Sequence, residues 1–297
     1  MTLQAQPSVD IQLLIVPYDT ARRGWRSGAG PEHLLQAGLA THLDSRGHHV
    51  TDVQVIEADQ PLWETPTAFE LMRRVAVAVR AARDAGRFPV VLSGNCNVAV
   101  GTLSGLTPAS RAIFWFDAHG DFNTPDTTTT GFLDGTGLAT ALGLCWRQLA
   151  STVPGYRPVQ ADATFLLGVR DLDPPEAALL AESAVTAVST ERISAELPEL
   201  LGRSQLKDAL GYLHLDLDVL DPSVGRANSL PVPGGLSVDQ LTAAITAIRT
   251  RVPLGAVGLA SYAPEYDTRQ GVCRAAFAAL DTALAEGGHR EIFTVVK

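Results

Sequence analysis

The chain is poor in cysteine and aromatic residues and has no excess of basic charge. Its 297 residues include only three cysteines, an odd number that is a poor basis for a disulfide framework and is typical of a reducing compartment. Lysine and arginine total 23 against 32 acidic residues, which argues against a phosphate-binding surface and so against a nucleic-acid partner. No apolar run approaches the roughly 18 residues of a membrane span, and the first ten residues lack the pattern of a secretory signal. We therefore expect a cytoplasmic protein with no membrane partner.

Hydrophobic residues nevertheless make up 46% of the sequence, and many fall in short runs rich in β-branched residues. These runs predict eight strands, at 10–16, 50–56, 89–92, 112–116, 163–167, 184–188, 211–215 and 254–260. Several runs are apolar at successive positions, as in strands that are covered on both faces. Helical spacing lies between them, for example at 67–86 and at 237–250, where Ser237 is the expected N-cap. The alternation predicts a single α/β domain over residues 1–297, with helices on both sides of a mostly parallel sheet.

Four loops that follow predicted strands have unusual polar content. They read SGNCN at 93–97, DAHGD at 117–121, GVRDLD at 168–173 and DLDVLDP at 216–222. Sites in parallel sheets form outside the carboxyl ends of the strands. We therefore expect these four loops to contribute to one site.

Two of these loops predict a metal centre. Asp117, His119 and Asp121 are alternate residues after the fourth predicted strand, so an extended backbone would point all three side chains to one side. Asp216 and Asp218 repeat this spacing after the seventh predicted strand. Four carboxylates and one imidazole at the edge of an apolar sheet would repel one another unless cations neutralised them. Such ligands favour ions like Mn²⁺, and two divalent ions can hold and deprotonate a bridging water. A single Asp-x-Asp motif is commonly a cap or turn element, so the prediction depends on both motifs together.

These motifs resemble the three signatures of the ureohydrolase superfamily, which includes arginase, agmatinase and formimidoylglutamase. The matching stretches are DAHGDFNTP at 117–125, GVRDLD at 168–173 and LDLDVLDP at 215–222. The resemblance implies a three-layer α/β/α fold with an eight-stranded sheet, a dinuclear Mn²⁺ centre, trimers or hexamers, and hydrolysis of a guanidine-type carbon to a urea and an amine. By position it implies two ligands shared by both ions (Asp117 and Asp216), two that complete one ion (Cys96 and Asp121) and two that complete the other (His119 and Asp218).

The first metal motif departs from the family pattern. The family has Gly-Gly-Asp-His-Ser where this chain has SGNCN, so Cys96 replaces a ligand histidine. A thiolate ligand would make the centre softer, more tolerant of Zn²⁺ and sensitive to oxidation. The alternative is that Cys96 is a small buried apolar residue and that the first ion is weakly held or absent. A thiol at this position resembles a minor branch of the superfamily, the Nω-hydroxy-L-arginine amidinohydrolases of cycloserine biosynthesis.

The resemblance also implies residues for the amino-acid end of a substrate. Asn123 and Thr130 match the positions that hold the α-carboxylate in arginases, and both can donate hydrogen bonds. Asp173 matches the position that holds the α-ammonium group. The same aspartate could instead cap a helix beginning at Pro174, and the two roles can coexist.

The reacting end of the site looks less like that of an arginase. Asp134 stands where the family has a histidine that assists proton transfer, and Ser261 stands where it has a glutamate that pairs with the guanidinium. Glu265 is close in sequence and could substitute for that glutamate. A less basic head group, such as a hydroxyguanidine or an amidine, would depend less on the missing carboxylate.

We therefore predict a metal-dependent hydrolase that cleaves a C–N bond of a guanidine-, hydroxyguanidine- or amidine-type amino acid. Asp121 would accept a hydrogen bond from the nucleophile, and Asp134 would relay a proton to the leaving amine. Two alternatives are a cysteine-nucleophile enzyme that uses Cys96, and a non-catalytic binding or regulatory relative. The arginine cluster of Arg22, Arg23 and Arg26 could either reach the mouth of the site or lie in a solvated loop, and the solvated loop is favoured.

Overall fold

The structure is a computed structural model that describes residues 8–106 and 110–285. Within these ranges the strands are β1 (Asp10–Val16), β2 (Tyr18–Asp19), β3 (Arg22–Arg23), β4 (His49–Val55), β5 (Phe88–Ser93), β6 (Arg111–Phe116), β7 (Thr164–Leu167), β8 (Thr186–Val188), β9 (Leu210–Asp216) and β10 (Leu254–Ala260). The α-helices of the same ranges are α1 (Gly30–Gln36), α2 (Leu39–Ser45), α3 (Glu64–Asp84), α4 (Ala99–Gly105), α5 (Gly137–Ala141), α6 (Arg147–Ala150), α7 (Pro174–Ala181), α8 (Ile193–Leu200), α9 (Val238–Arg249) and α10 (Gly271–Leu284).

Eight of the strands form one sheet in the order β4-β1-β5-β10-β9-β6-β7-β8, and each neighbouring pair is parallel. These are the eight predicted strands, with bounds that differ by two residues or fewer. The short strands β2 and β3 form a separate antiparallel hairpin that the sequence did not predict. Both halves of the chain contribute strands to the one sheet, which supports our proposal of a single domain over residues 1–297.

Alternate residues of the central strands pack against opposite helical layers. In β6, Phe114 and Phe116 belong to one buried cluster together with residues of α9 and α10. Ile113 and Trp115 belong to a second cluster together with residues of α3 and α4. Both parities of the strand are therefore apolar, as in other parallel sheets with covered faces. The three-layer α/β/α fold expected from the sequence is confirmed.

Capping residues set the bounds of the predicted helices. Ser237 caps α9: its Oγ accepts a hydrogen bond from Gln240 N at 3.2 Å, and the Gln240 side chain accepts one in return from Ser237 N at 2.9 Å. Asp173 is the N-cap of α7, which begins at Pro174, so the capping role proposed for this aspartate is confirmed. None of the helices in the described ranges is long and apolar enough to cross a bilayer.

Candidate metal centre

A cavity of about 190 Å³ lies at the carboxyl edge of the sheet. All four polar loops predicted from the sequence contribute lining residues to it, because parallel strands end at the same edge. The loop after β1 and the loop after β10 also line the cavity. The convergence of the four predicted loops on one site is therefore observed.

One group of possible metal ligands consists of Cys96, Asp117 and Asp216. Their donor atoms all lie within 4.8 Å of one another, and the three side chains are buried. The Cys96 thiol donates a hydrogen bond to Asp216 Oδ2 at 3.1 Å and lies 3.3 Å from Ser261 Oγ. Cys96 is thus oriented toward the carboxylates and does not simply pack in an apolar core.

A second group consists of Asp117, His119 and Asp218, whose donor atoms also lie within 4.8 Å of one another. His119 Nδ1 is 3.4 Å from Asp117 Oδ1 and 3.3 Å from Asp218 Oδ2. Asp117 belongs to both groups, so the two groups are adjacent. Five of the six expected ligands therefore fall into two neighbouring sets that share one carboxylate.

The sixth expected ligand, Asp121, lines the same cavity but belongs to neither group. Its Oδ2 atom is buried and has no hydrogen-bond partner within the described part of the chain. A buried carboxylate oxygen without a donor is costly unless a cation or a ligand proton reaches it. The Oδ2 atom of Asp121 is therefore available either to bind a metal ion or to accept a hydrogen bond from a ligand in the cavity.

The local backbone differs from the extended one assumed in the sequence argument. Strand β6 ends at Phe116, and Asp121 has a left-handed φ of 48°, so the loop is tightly turned. Asp218 lies in a 3₁₀ turn at Leu217–Val219, whose N-cap, Asp216, accepts the Asp218 N–H at 2.8 Å. The expectation of an extended backbone that points these side chains to one side was wrong. The side chains converge because both loops are turned and not extended.

Neighbouring side chains orient the candidate ligands. Trp115 Nε1 donates to Asp117 Oδ2 at 3.0 Å, and Asn228 Nδ2 donates to Asp218 Oδ2 at 3.0 Å. His214 stacks on the Trp115 ring with centroids 3.7 Å apart, as a packing residue. Such outer partners fix ligand orientation in metal sites. Sequence reasoning missed Asn228, since its loop carries no motif, and missed Trp115 because it reads as an ordinary core residue.

The electrostatics of the cluster show a deficit of positive charge. Burial raises the pKa of Asp121 and of Asp216 well above the usual range, and neighbouring carboxylates raise both further. Burial lowers the pKa of His119, but hydrogen bonds to the Asp117 and Asp218 carboxylates outweigh it and raise this pKa to about 12. The imidazole thus retains a proton that partly neutralises its acidic neighbours.

The same burial and the same carboxylates also change the pKa of the Cys96 thiol. Burial raises the pKa of its thiol well above the usual value, and the nearby aspartates, Asp216 first among them, raise it further. A thiol in such surroundings ionises when a cation replaces its proton. The donor set of one sulfur, one imidazole and several carboxylate oxygens fits two divalent cations.

Asp134 binds the turn that carries Cys96. Its Oδ2 accepts hydrogen bonds from Asn95 Nδ2 at 2.8 Å and from Cys96 N at 3.1 Å, and its Oδ1 accepts one from Asn97 N at 2.8 Å. Burial raises its pKa to about 7, although these donors act in the opposite direction. Both carboxylate oxygens of Asp134 therefore accept hydrogen bonds from the same turn, at residues 95–97. This geometry favours a positioning role over the proton relay expected from the sequence.

The residues expected to bind substrate all line the cavity: Asn123, Thr130, Asp173 and Ser261. Asn123 Nδ2 donates to Asp173 Oδ2 at 3.4 Å, whereas Thr130 is exposed. Ser261 is buried, with a left-handed φ of 60°. Glu265 is exposed and is not among the described residues that line the cavity, so it does not replace the missing glutamate.

One residue of the arginine cluster at 22–26 lies at the mouth of the site. Arg26 is exposed and lines the cavity, whereas Arg23 lies outside it and pairs with Glu32 at 2.6 Å and Glu57 at 3.1 Å. For Arg26 the structure therefore shows the less favoured of the two positions expected from the sequence. The hairpin of β2 and β3, which is too short to leave a sequence pattern, changes the direction of the chain before Arg26.

Comparisons with known proteins agree with this geometry. Residues 9–285 match the family model described as the arginase family. The chain is 31% identical over 251 residues to the arginase of Brevibacillus brevis, covering 77% of this chain and 82% of that protein. It is 29% identical over 250 residues to the arginase of Bacillus caldovelox, covering 76% of this chain and 82% of that protein.

Its structure resembles the crystal structure of arginase from Bacillus cereus, with a TM-score of 0.84 and 26% identity over 92% of this chain and 98% of that one. The family match spans most of the chain, and the sequence and structural likenesses are both to arginases. The chain therefore belongs to the arginase family, within the ureohydrolase superfamily of amidinohydrolase-type enzymes.

Proposed function

We propose that this protein hydrolyses a C–N bond of a guanidine-, hydroxyguanidine- or amidine-type substrate that has an amino-acid end, releasing a urea-type product and an amine. The observation that carries the proposal is the pair of adjacent ligand groups that share Asp117 at the carboxyl edge of the sheet. Relatives named arginase support guanidine hydrolysis at the general level.

The cofactor in this proposal is a pair of Mn²⁺ ions. Six residues would hold the ions: Cys96, Asp117, His119, Asp121, Asp216 and Asp218. Of these, Asp117 belongs to both ligand groups of the structure. When bound, two divalent ions would activate water as a nucleophile at neutral pH.

The residues around the ions would hold and orient the substrate. Asp121 would accept a hydrogen bond from the nucleophile, and its buried Oδ2, which has no partner in the described part of the chain, supports this role. Asn123 and Thr130 can donate to a carboxylate, and Asp173 can accept from an ammonium group. At the reacting end Ser261 offers a neutral hydroxyl where a carboxylate would favour plain guanidinium, so the proposal prefers a less basic head group such as a hydroxyguanidine.

A cysteine-nucleophile mechanism is less consistent with the geometry. The thiol of Cys96 donates to Asp216, and burial together with nearby carboxylates raises its pKa well above the usual value. A nucleophilic cysteine needs the opposite environment, in which a cation or a base favours the thiolate. Without a metal ion, Cys96 would therefore remain a protonated and weak nucleophile.

A substrate screen tests the proposal. The Mn²⁺-loaded protein would be assayed with arginine, Nω-hydroxy-L-arginine, agmatine, guanidinobutyrate and formimidoylglutamate, measuring the urea-type product or the released amine. We expect turnover of at least one guanidine-like amino acid, with Nω-hydroxy-L-arginine preferred to arginine, and loss of turnover after chelation. Turnover that survives chelation would favour the thiol mechanism. Bound metal with no turnover of any compound would favour a binding or regulatory relative.

Assembly and location are part of the same proposal. We propose a cytoplasmic homo-oligomer, a trimer or hexamer, with a small-molecule substrate and neither a nucleic-acid nor a membrane partner. Size-exclusion chromatography with light scattering tests the assembly, and a monomer at micromolar concentration would contradict it.

A further inference from the structure

The cavity is strongly acidic apart from one arginine. Eight of the residues that line it are acidic: Asp19, Asp121, Asp134, Asp171, Asp173, Glu176, Asp216 and Asp218. Arg26 is the one arginine or lysine among the described residues that line it. The other cation that lines the cavity, His119, is already paired with Asp117 and Asp218. A substrate carboxylate at the mouth of the cavity would therefore be attracted chiefly by Arg26.

The loop after β1 is built to hold Arg26 at this position. Asp19 is 4% exposed and is fixed by Asn95, whose Nδ2 lies 3.5 Å from Asp19 Oδ1 and whose Oδ1 accepts from Thr20 N at 3.0 Å. Arg26 Nε lies 4.0 Å from Asp19 Oδ2, and Arg26 Nη2 donates to Ser229 Oγ at 3.3 Å. Two different loops thus orient the guanidinium.

The backbone of Arg26 is strained. Its φ of 48° lies in the left-handed region, which a residue with a side chain rarely adopts. Strain of this kind persists where the surrounding structure determines it, and it clusters at binding sites. The guanidinium also lies 4.8 Å from the centre of the Trp25 ring, which limits its motion further. The side chain is 39% exposed, so these contacts orient it while leaving it open to a ligand from solvent.

The guanidinium retains donors for a ligand. It has five N–H groups in a planar fork that matches a carboxylate. Its described contacts are one hydrogen bond, to Ser229, and one long ion pair, to Asp19. The alternative donor, Asn123, is neutral, and its amide already contacts Asp173 and Thr127. Arg26 is therefore a stronger hydrogen-bond donor to a negative group than Asn123.

We propose that Arg26, supported by Ser229, forms an anion subsite at the mouth of the cavity and receives the carboxylate of the substrate's amino-acid end. This inference rests on the proposed function, because it names the residue that selects amino-acid substrates over their decarboxylated analogues. Asn123 and Thr130 then contribute weaker, neutral contacts.

Arginine and agmatine test the subsite, since they differ only in the carboxylate. In Arg26→Gln we expect the ratio of kcat/KM for arginine to kcat/KM for agmatine to fall about tenfold or more, the loss typical of one charge-assisted hydrogen bond. For Arg26→Lys this ratio should lie between those of the wild type and of Arg26→Gln, because lysine keeps the charge but lacks the planar set of N–H donors. Arg22→Gln is the matched control: Arg22 also contacts the Trp25 ring, at 4.6 Å, but does not line the cavity, and the ratio should stay unchanged.

A binding measurement separates failure of this inference from failure of the proposed function. Calorimetry on the Mn²⁺-loaded protein would compare ornithine with putrescine, which again differ by one carboxylate. We expect Arg26→Gln to weaken ornithine about tenfold or more relative to putrescine. If guanidine turnover is absent but this difference is found, the subsite stands and the proposed function fails. An equal effect on both ligands, or no preference for ornithine in the wild type, would overturn the subsite.

Discussion

Replacing Asp134 with alanine should loosen the turn that carries Cys96. The carboxylate accepts three hydrogen bonds from Asn95, Cys96 and Asn97, and Asp134 itself is 6% exposed. Each buried donor left without an acceptor costs about 1–3 kcal/mol. Water from the adjoining cavity can replace part of this loss, so we expect a decrease of about 2–4 kcal/mol in the free energy of unfolding of the metal-free protein.

The assay combines global and local measurements. Urea unfolding gives the change in stability, and the rate of Cys96 labelling by a thiol reagent reports opening of the turn, because a 1.4 kcal/mol drop in opening free energy gives about tenfold faster labelling. Cys145 and Cys273 are buried elsewhere and provide internal references. Asp126→Ala, in an exposed part of the same loop region, is the matched control and should leave both measurements unchanged.

Two results would refute this reasoning. If Asp134→Ala unfolds like the wild type and Cys96 labels no faster, then Asp134 does not hold the turn. If stability and labelling are unchanged but turnover collapses and the pH profile loses one limb, then Asp134 acts as the proton relay expected from the sequence. Asp134→Asn keeps one oxygen that can accept, so it should lie between the wild type and the alanine variant in stability.

Three further predictions concern the ions and the packing. Mn²⁺ at about 100 times its dissociation constant should stabilise the wild type by about 2.7 kcal/mol in thermal unfolding, and Asp218→Ala should lose this shift; an equal shift in both proteins would contradict the ligand assignment. Cys96→His should lower the affinity for Zn²⁺ relative to Mn²⁺ in competition dialysis, because it removes the soft ligand; an unchanged preference would show that Cys96 does not ligate. Gly271→Ala would place a Cβ against Val224 O and should destabilise by about 1–3 kcal/mol in urea, whereas Gly135→Ala, with open space around it, should not; equal effects would refute the packing argument.

The sequence predicted the sheet well because most of its strands are buried on both faces. Strand β6 is apolar at every position after Arg111, and this continuous pattern distinguishes it from an amphipathic helix at that length. Strand β8, at the edge of the sheet, is shorter than predicted, since only Thr186–Val188 pair with β7. The hairpin of β2 and β3 was missed because two residues per strand give no periodicity.

The site was predicted less completely than the fold. Motifs located the acidic loops because each motif is contiguous and follows a strand. Asn228 was not identified as a site residue, and for Arg26 the mouth of the site was the less favoured alternative, because both positions depend on loops from elsewhere in the chain. The left-handed backbone at Asp121 and at Arg26 could not be predicted from the sequence either, because neither residue type indicates a positive φ as strongly as glycine does.

The buried charge at this edge of the sheet argues against a protein that has kept the fold and abandoned metal chemistry. Burial and neighbouring carboxylates raise the pKa of Asp121 and of Asp216 well above the usual range, and His119 retains a proton with a pKa of about 12. Such raised pKa values mean that ionising these carboxyls without a cation costs free energy, and apolar side chains of similar size would remove that cost. A cation in each ligand group would instead stabilise the ionised carboxylates, with Asp117 belonging to both groups. Measurement of bound metal in protein purified with Mn²⁺ therefore decides the matter first, and near-zero occupancy would remove the premise of the hydrolase.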